Sequence, residues 1–183
     1  MGQDHEHRVC TYREAEEAIR RHETLYVNDC FCRGPAQAGK MPWKYCGHTV
    51  RTCMGFFKKA DAPYEVEAIT QAKALELMEE WKLQGHLFRF MVGEKWVCFC
   101  CACGCCFFRD KEGNRVPDSC ERSPFIEQTD LAACTLCGKC VPVCAYEARR
   151  IENGAMIVDR GRCAGCSACE FACPEDAIQM VPR

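Results

Sequence analysis

The sequence lacks a long apolar run, which excludes a membrane-spanning helix of ordinary length. No stretch approaches the roughly 18 uninterrupted apolar residues that such a helix needs. The first eight residues, Met1 to Arg8, are polar and contain no apolar core of a secretory signal. We therefore expect a cytoplasmic protein without a membrane span.

A strong charge of either sign is also absent, because the formal net charge is only −2. The sequence has no basic stripe with interleaved aromatic residues, so nothing in it favours nucleic-acid binding. It also has no Walker A loop, no G-x-G-x-x-G fingerprint, no nucleophile–base constellation and no C-x3-C-x2-C triplet. Several common classes of enzyme are therefore disfavoured.

Cysteine, by contrast, is abundant, with 20 residues in a chain of 183. Such a density in a short secreted chain indicates disulfides, but no secretory signal supports that context. The adjacent pairs Cys100–Cys101 and Cys105–Cys106 also suit a disulfide ladder poorly. In a reducing compartment, clustered cysteines more often bind metal or carry out redox chemistry.

One cysteine run occurs twice near the C-terminus, with the spacing C-x2-C-x2-C-x3-C and an offset of 29 residues. In this run three cysteines bind one iron–sulfur cube, and the fourth binds the partner cube. The spacing therefore predicts two [4Fe–4S] clusters. The predicted ligands are Cys134, Cys137, Cys140 and Cys173 for cluster 1, and Cys163, Cys166, Cys169 and Cys144 for cluster 2.

Local patterns predict a few regular elements. Thr11 and Glu14 form a capping-box signature before a helix over 12–21, and apolar spacing predicts a second helix over 69–84 that ends at Gly85. A strand is predicted at 25–27, a hairpin over 86–97, and a second hairpin that turns at Asn153–Gly154. The polar stretch 109–129 is interpreted as a connection.

The upstream cysteines predict further metal binding. A loop could bring four of them together, and six more lie within nine residues, where neighbours cannot easily bind one small cluster. The candidates are Cys30, Cys32, Cys46 and Cys53 in the loop, and Cys98, Cys100, Cys101, Cys103, Cys105 and Cys106 in the string. We expect three to four [4Fe–4S] clusters in all. Zinc is an alternative for the upstream set, and an unusual cluster of the CCG-domain type is another.

The segment from Asp130 to Arg183 resembles the two-cluster bacterial-type ferredoxins, through its eight spaced cysteines and Pro174 after the last one. It departs from that pattern at Ala145, where the family usually has proline. The upstream part resembles a cysteine-rich region found with ferredoxin domains in anaerobes, through Asp29–Arg33, Cys46, Cys53 and the string that ends near Arg109. The ferredoxin resemblance implies a pseudo-symmetric fold and electron transfer at low potential.

Together these patterns predict an α+β protein with two domains. Residues 1–129 would form a small helical or irregular cysteine-rich domain, and residues 130–183 a ferredoxin domain. The expected function is transfer of single electrons between a donor and a partner redox enzyme or larger complex, without catalysis by this chain. The alternatives are a maturation or catalytic factor with an open or unusual upstream cluster, and a zinc-stapled docking module that carries a ferredoxin domain.

Overall fold

A computed structural model describes residues 7–31, 33–40, 46–57, 65–91, 93–110, 112–114, 116–117 and 120–183. The helices are α1 (Tyr12–Arg21), α2 (Arg33–Gln37), α3 (Gln71–Leu83) and α4 (Ala168–Phe171). The strands are β1 (His7–Cys10), β2 (Leu25–Asn28), β3 (Cys53–Gly55), β4 (Glu67–Ile69), β5 (Leu87–Met91), β6 (Trp96–Cys100), β7 (Phe125–Thr129), β8 (Arg149–Glu152), β9 (Ala155–Val158) and β10 (Ile178–Pro182). This mixture of helices and strands confirms the α+β class.

The upstream part, defined here as residues 7–123, contains a six-stranded sheet in the order β1-β5-β6-β3-β2-β4. All of its neighbouring strands are antiparallel. The predicted strand at 25–27 and the predicted hairpin over 86–97 correspond to β2, β5 and β6, whereas the prediction of a helical or irregular domain missed β1, β3 and β4. Strands of three to five residues give too short a period-two signal to be separated from loops in the sequence.

Two helices cover one face of this sheet. The ring of Trp81 in α3 lies 4.2 Å from that of Phe99 in β6, and Tyr12 in α1 lies 4.4 Å from Phe88 in β5. Because side chains alternate along a strand, Cys98 and Cys100 point to the opposite face from Phe99. The helix side of the sheet is thus an apolar core, and the other side presents cysteines.

Helix α1 begins with the predicted capping box. Thr11 Oγ1 accepts a hydrogen bond from the N–H of Glu14, and Glu14 Oε2 accepts one from the N–H of Thr11. The predicted bounds 12–21 are confirmed, and α3 confirms the second predicted helix with a start two residues later. Gly85 follows α3 with a φ of 73°, as a glycine after a helix end commonly does.

Replacement of Thr11 by alanine should lower the free energy of unfolding by about 1 kcal/mol, because the first turn of α1 loses its side-chain acceptor. Urea denaturation of the metal-loaded protein under anaerobic conditions measures this change. Thr70→Ala is the matched control: Thr70 caps α3 through a single bond to the N–H of Lys73. We expect a smaller loss in Thr70→Ala than in Thr11→Ala, because only Thr11 takes part in a reciprocal capping box. An equal loss in both variants would contradict this difference.

The C-terminal part, residues 124–183, contains two antiparallel strand pairs, β7 with β10 and β8 with β9. The turn at Asn153–Gly154 joins β8 to β9 with positive φ at both residues, which confirms the predicted hairpin. Strand β7 lies within the stretch that the sequence interpreted as a connection, and its partner is the last strand of the chain. The connection is therefore shorter than predicted.

A shift of 29 residues relates many features of the C-terminal part. It carries β7 onto β9 and β8 onto β10. It also relates three pairs of residues with positive φ, namely Leu136 with Gly165, Gly138 with Ser167, and Glu147 with Asp176. The repeated cysteine run therefore coincides with a repeated backbone conformation.

The two parts are in direct contact. The N–H of Tyr12 donates to Ser167 Oγ at 2.8 Å, and the N–H of Ser123 donates to the carbonyl of Ala164 at 3.0 Å. The apolar core of the upstream part continues into Ala164, Cys166 and Ala168. Within the ranges described above, no helix combines the length and the apolar character that crossing a bilayer requires.

Candidate metal centres

The first candidate centre is a small cavity in the C-terminal part. The four cysteines predicted for cluster 1 line it, together with Gly138, Met156 and Ile178. Cys140 is buried, Cys134 and Cys173 are half-buried, and Cys137 is exposed. Four thiols around one cavity are the donor set of a [4Fe–4S] cluster, so these residues fit that group.

The second cavity is lined by the four cysteines predicted for cluster 2, so these residues fit the same group. Cys163, Cys166 and Cys169 are buried, and Cys144 is half-buried. Burial raises the pKa of Cys166 to about 12, so this thiol keeps its proton until a metal replaces it. The cysteines of the second cavity are thus more buried than those of the first, and this cavity lies beside the upstream core.

Gly165 explains part of that burial. Its φ is 78°, and a side chain here would collide with the backbone of Phe125 and with Cβ of Ser123. The N–H of Ser123 also donates to the carbonyl of Ala164. The loop of cluster 2 is therefore held tightly against the start of β7, which requires glycine at this position.

A buried cation lies between the two cavities. Arg149 forms an ion pair with Glu127 at 2.7 Å, and both side chains are at least 96% buried. Its guanidinium also donates to Thr129 Oγ1 and reaches Cys169 Sγ at 4.0 Å and the thiol of Cys140. Burial opposes the charge, but Cys169, Cys140 and Glu127 outweigh it and raise the pKa of Arg149. Arg149 thus contacts one cysteine from each predicted set.

The upstream cysteines form two groups. The first group, the sheet-face cysteines, lies on the side of the sheet away from α1 and α3. Cys53 and Cys98 are register partners, and their sulfurs are 3.3 Å apart. Cys30 contacts Cys53, and Cys100 contacts both Cys98 and Cys105. The members of this group are Cys30, Cys53, Cys98, Cys100 and Cys105.

Charged and polar neighbours perturb the sheet-face cysteines. Hydrogen bonds from Cys100 and Cys53 lower the pKa of Cys98, whereas the pKa values of Cys53 and Cys100 are raised by their thiol contacts and by burial. The buried guanidinium of Arg89 lies 3.9 Å from Cys105 Sγ and 3.0 Å from Cys120 Sγ. This face therefore combines several sulfur donors with a fixed positive charge.

The second upstream group, the Cys3His group, contains Cys46, His48, Cys101 and Cys103. Its four ligand atoms all lie within 4.8 Å of one another. Cys46 Sγ is 3.5 Å from Cys101 Sγ, and His48 Nδ1 is 3.3 Å from Cys46 Sγ and 3.4 Å from Cys103 Sγ. Strand β6 ends at Cys100, so Cys101 leaves the strand and joins a different group from its neighbour.

The structure thus divides the loop set that the sequence proposed. Cys30 and Cys53 belong to the sheet-face cysteines, Cys46 belongs to the Cys3His group, and Cys32 lies outside the described residues. Cys106 begins a short 3-10 helix and is exposed. The strand β6 includes Cys98 and Cys100, whereas the sequence placed the start of the cysteine string at the strand end.

Arg33 lies beside both upstream groups, because the thiols next to it include Cys30 of the sheet-face cysteines and Cys101 of the Cys3His group. Arg33 donates to the carbonyl of Phe99 at 2.8 Å, to Thr52 Oγ1, and to His86 Nε2 at 2.7 Å. Because His86 Nδ1 lies 3.1 Å from the carbonyl of Trp81, its proton is on Nδ1. Burial and Arg33 lower the pKa of His86 to about 3, so the ring is neutral.

Sequence reasoning missed His48 as a possible ligand and Arg33, Arg89 and Arg149 as buried cations. The pairs Cys46-x-His48 and Cys101-x-Cys103 place two ligands each at a separation of two, a signal that could have indicated one site. Arg33 and Arg149 gave no such signal, because nothing in the sequence distinguishes a buried arginine from an exposed one.

Comparisons with known proteins locate one family match in the C-terminal part. Residues 133–178 match the family model of a 4Fe-4S dicluster domain. The chain is 38% identical over 55 residues to the putative electron transport protein YsaA of Escherichia coli and 40% identical over 63 residues to one subunit of the tetrathionate reductase of Salmonella typhimurium. It is 36% identical over 81 residues to one subunit of the ion-translocating oxidoreductase complex of Erwinia tasmaniensis. The chain therefore contains a ferredoxin-like 4Fe-4S dicluster domain.

These matches are partial in both directions. They cover 29%, 31% and 44% of this chain, and 35%, 25% and 42% of the three relatives respectively. The chain thus spans less than half the length of each of these relatives.

Proposed function

We propose that this protein transfers single electrons between a donor and a partner redox enzyme. The observation that carries the proposal is the pair of cavities, each lined by four cysteines from the repeated run. Within the pseudo-symmetric ferredoxin fold that we propose for 130–183, the two sets ligate two [4Fe–4S] clusters, which supply one-electron chemistry when bound. Residues 1–129 form the second proposed domain.

The two cavities differ in exposure, which suggests different roles. Cys137 is exposed, and the neighbouring Leu131 and Leu136 are exposed apolar residues, so a partner protein can approach the first cavity closely. The second cavity lies against the upstream core. We therefore infer that electrons pass to or from the partner at the first cavity and to or from the upstream part at the second.

Aromatic residues connect the second cavity to the sheet-face cysteines. Tyr146 lines that cavity, and its ring lies 5.5 Å from Phe108. Phe108 in turn lies 4.9 Å from the guanidinium of Arg89, which contacts Cys105. Electrons would therefore pass from the second cavity to a third cluster, held by the sheet-face cysteines, through packed side chains rather than through solvent. This supports a chain of three clusters, and Cys32 and Cys106 are candidate ligands of a fourth.

The proposed partner is a redox enzyme or a larger electron-transfer complex. Two of the relatives are named as subunits of such assemblies. One is a subunit of a tetrathionate reductase, and the other is a subunit of an ion-translocating oxidoreductase complex. A non-catalytic role and a cytoplasmic location complete the proposal.

Iron analysis and electron paramagnetic resonance test the assignment. Anaerobic protein should contain about 8 iron atoms from the two C-terminal clusters and about 12 with one upstream cluster. Cys137→Ser should remove or alter the signal of one reduced cluster, because it replaces a predicted ligand of cluster 1. Thr135→Ser is the control, because Thr135 is an exposed residue that lines the same cavity without being a predicted ligand.

Three outcomes of these measurements would contradict the proposal or favour an alternative. A protein whose loaded clusters cannot be reduced and reoxidised would not be an electron carrier. A change in an upstream signal on addition of a small substrate, with no partner present, would favour the open-site alternative instead. A Cys137→Ser protein with unchanged cluster signals would contradict the ligand assignment.

A further inference from the structure

The Cys3His group has the geometry of a site for one metal ion. Its sulfur–sulfur and nitrogen–sulfur contacts are 3.3 to 3.5 Å, and no pair of its ligand atoms exceeds 4.8 Å. In a tetrahedral zinc site with Zn–S bonds of about 2.3 Å, ligand atoms are about 3.8 Å apart. The four side chains already converge on a common point at nearly this spacing.

A [4Fe–4S] cube needs a wider arrangement. Each of its four cysteines bonds a different iron, so the ligand sulfurs stand apart by more than the width of the cube. The convergence on one point therefore disfavours a cube in this group. Three thiolates with one imidazole also form one of the common ligand sets of structural zinc.

The surroundings of the group favour a bound cation of charge +2. Three thiolates and one such ion carry a net charge of −1, and the buried guanidinium of Arg33 lies beside them. The arginine thus neutralises the charge that the loaded site would carry.

Gly104 fits closely into the same site. A Cβ at this position would lie 3.4 Å from Cys46 Sγ, 3.5 Å from Cys101 Sγ and 3.3 Å from Cγ of Arg33. The N–H groups of Gly104 and Cys105 donate to the carbonyl of Cys101, which forms a tight turn around the sulfur donors. Backbone therefore fills the space next to the group, as in a closed structural site.

We propose that Cys46, His48, Cys101 and Cys103 bind one zinc ion in a closed tetrahedral site. The ion joins the segment that contains Cys46 and His48 to the turn that follows β6. This site carries no electrons, since zinc has no redox chemistry under biological conditions. The proposal does not depend on electron transfer by the rest of the chain.

Metal analysis and zinc-edge X-ray absorption of the full-length protein test the site. Protein prepared anaerobically with zinc and iron available should contain about one zinc per chain in addition to its iron. The absorption spectrum should give three sulfur neighbours at about 2.3 Å and one nitrogen neighbour at about 2.0–2.1 Å. Protein without zinc, or zinc bound by four sulfurs, would overturn the proposal.

Two substitutions at His48 sharpen the result. His48→Ala should lower the zinc content at least several-fold while the iron content stays unchanged, and His48→Cys should restore zinc with four sulfur neighbours. The matched control is His22→Ala, which lies outside the group and should keep about one zinc. Retention of zinc with an unchanged spectrum in His48→Ala would refute ligation by His48, and loss of iron in place of zinc would identify an iron site instead.

Discussion

Replacement of Arg149 by methionine should lower the free energy of unfolding by about 3–5 kcal/mol, because it leaves the carboxylate of Glu127 buried without its partner. Glu127 is only 4% exposed at its side chain, so water cannot replace the guanidinium. Thr129 Oγ1 donates to Glu127 at 2.5 Å but carries no positive charge. Chemical denaturation of the loaded protein under anaerobic conditions measures the loss.

The same variant should make the reduction potentials of both C-terminal clusters more negative. Reduction adds negative charge close to Cys140 and Cys169, and the positive charge of Arg149 favours it. A redox titration followed by electron paramagnetic resonance measures both potentials in one sample. Unchanged potentials in a fully loaded Arg149→Met protein would contradict this role.

Two further variants separate the effect of charge from that of burial. Arg149→Met combined with Glu127→Gln removes both charges, so the stability loss should be smaller than in the single variant, while the shift in potential is partly cancelled. Arg150→Met is the control on the solvent side of the same strand, where Arg150 pairs with the exposed Glu152. It should change stability by less than about 1 kcal/mol.

Removal of the metals should unfold the C-terminal part and leave the upstream sheet largely folded. The small cores of the C-terminal part consist to a large extent of cysteines, such as Cys140 and Cys169 with Met156 and Ile178. Without clusters these side chains cannot fill the cavities that they line, and the binding free energy of the metal is lost from folding. The upstream core contains Trp81, Phe88 and Phe99 and does not depend on metal for its apolar packing.

Hydrogen exchange before and after anaerobic chelation tests this difference. Amides of β7 and β10 should lose protection by several orders of magnitude, whereas those of β5 and β6 at their central residues should keep most of theirs. The exposed turn at Gly93–Glu94 should exchange quickly in both states and serves as the internal reference. Persistent protection of β10 in the apo-protein would show that apolar contacts suffice there.

Spacing grouped the C-terminal cysteines as the two cavities do, because most members of each set follow one another along the chain. The run Cys163-x2-Cys166-x2-Cys169 places three donors in one loop, and the structure brings the predicted fourth, Cys144, to the same cavity. Helix α1 could be predicted equally well from the sequence, since its capping box and its apolar spacing are local signals. Local signals of this kind do not depend on the rest of the fold.

The upstream groups could not be predicted in the same way, because the sheet decides their membership. Cys53 meets Cys98 only through the pairing of β3 with β6, which are 45 residues apart in sequence. Cys100 and Cys101 separate because one is the last residue of a strand and the other follows it. His48 joins Cys103 through a contact that spans 55 residues. Long-range pairings of this kind leave no periodic trace in the sequence.

The hydrogen bond from Tyr12 to Ser167 has a consequence for the modularity of the chain. A fragment that begins at residue 130 would lose β7, the partner of the last strand, and the contacts of Ser123 that fix the loop around Gly165. It would also expose Cys166, which packs into the upstream core. The dicluster segment is therefore not an independent module. A fusion protein that is to keep the second cluster buried must also include the upstream sheet.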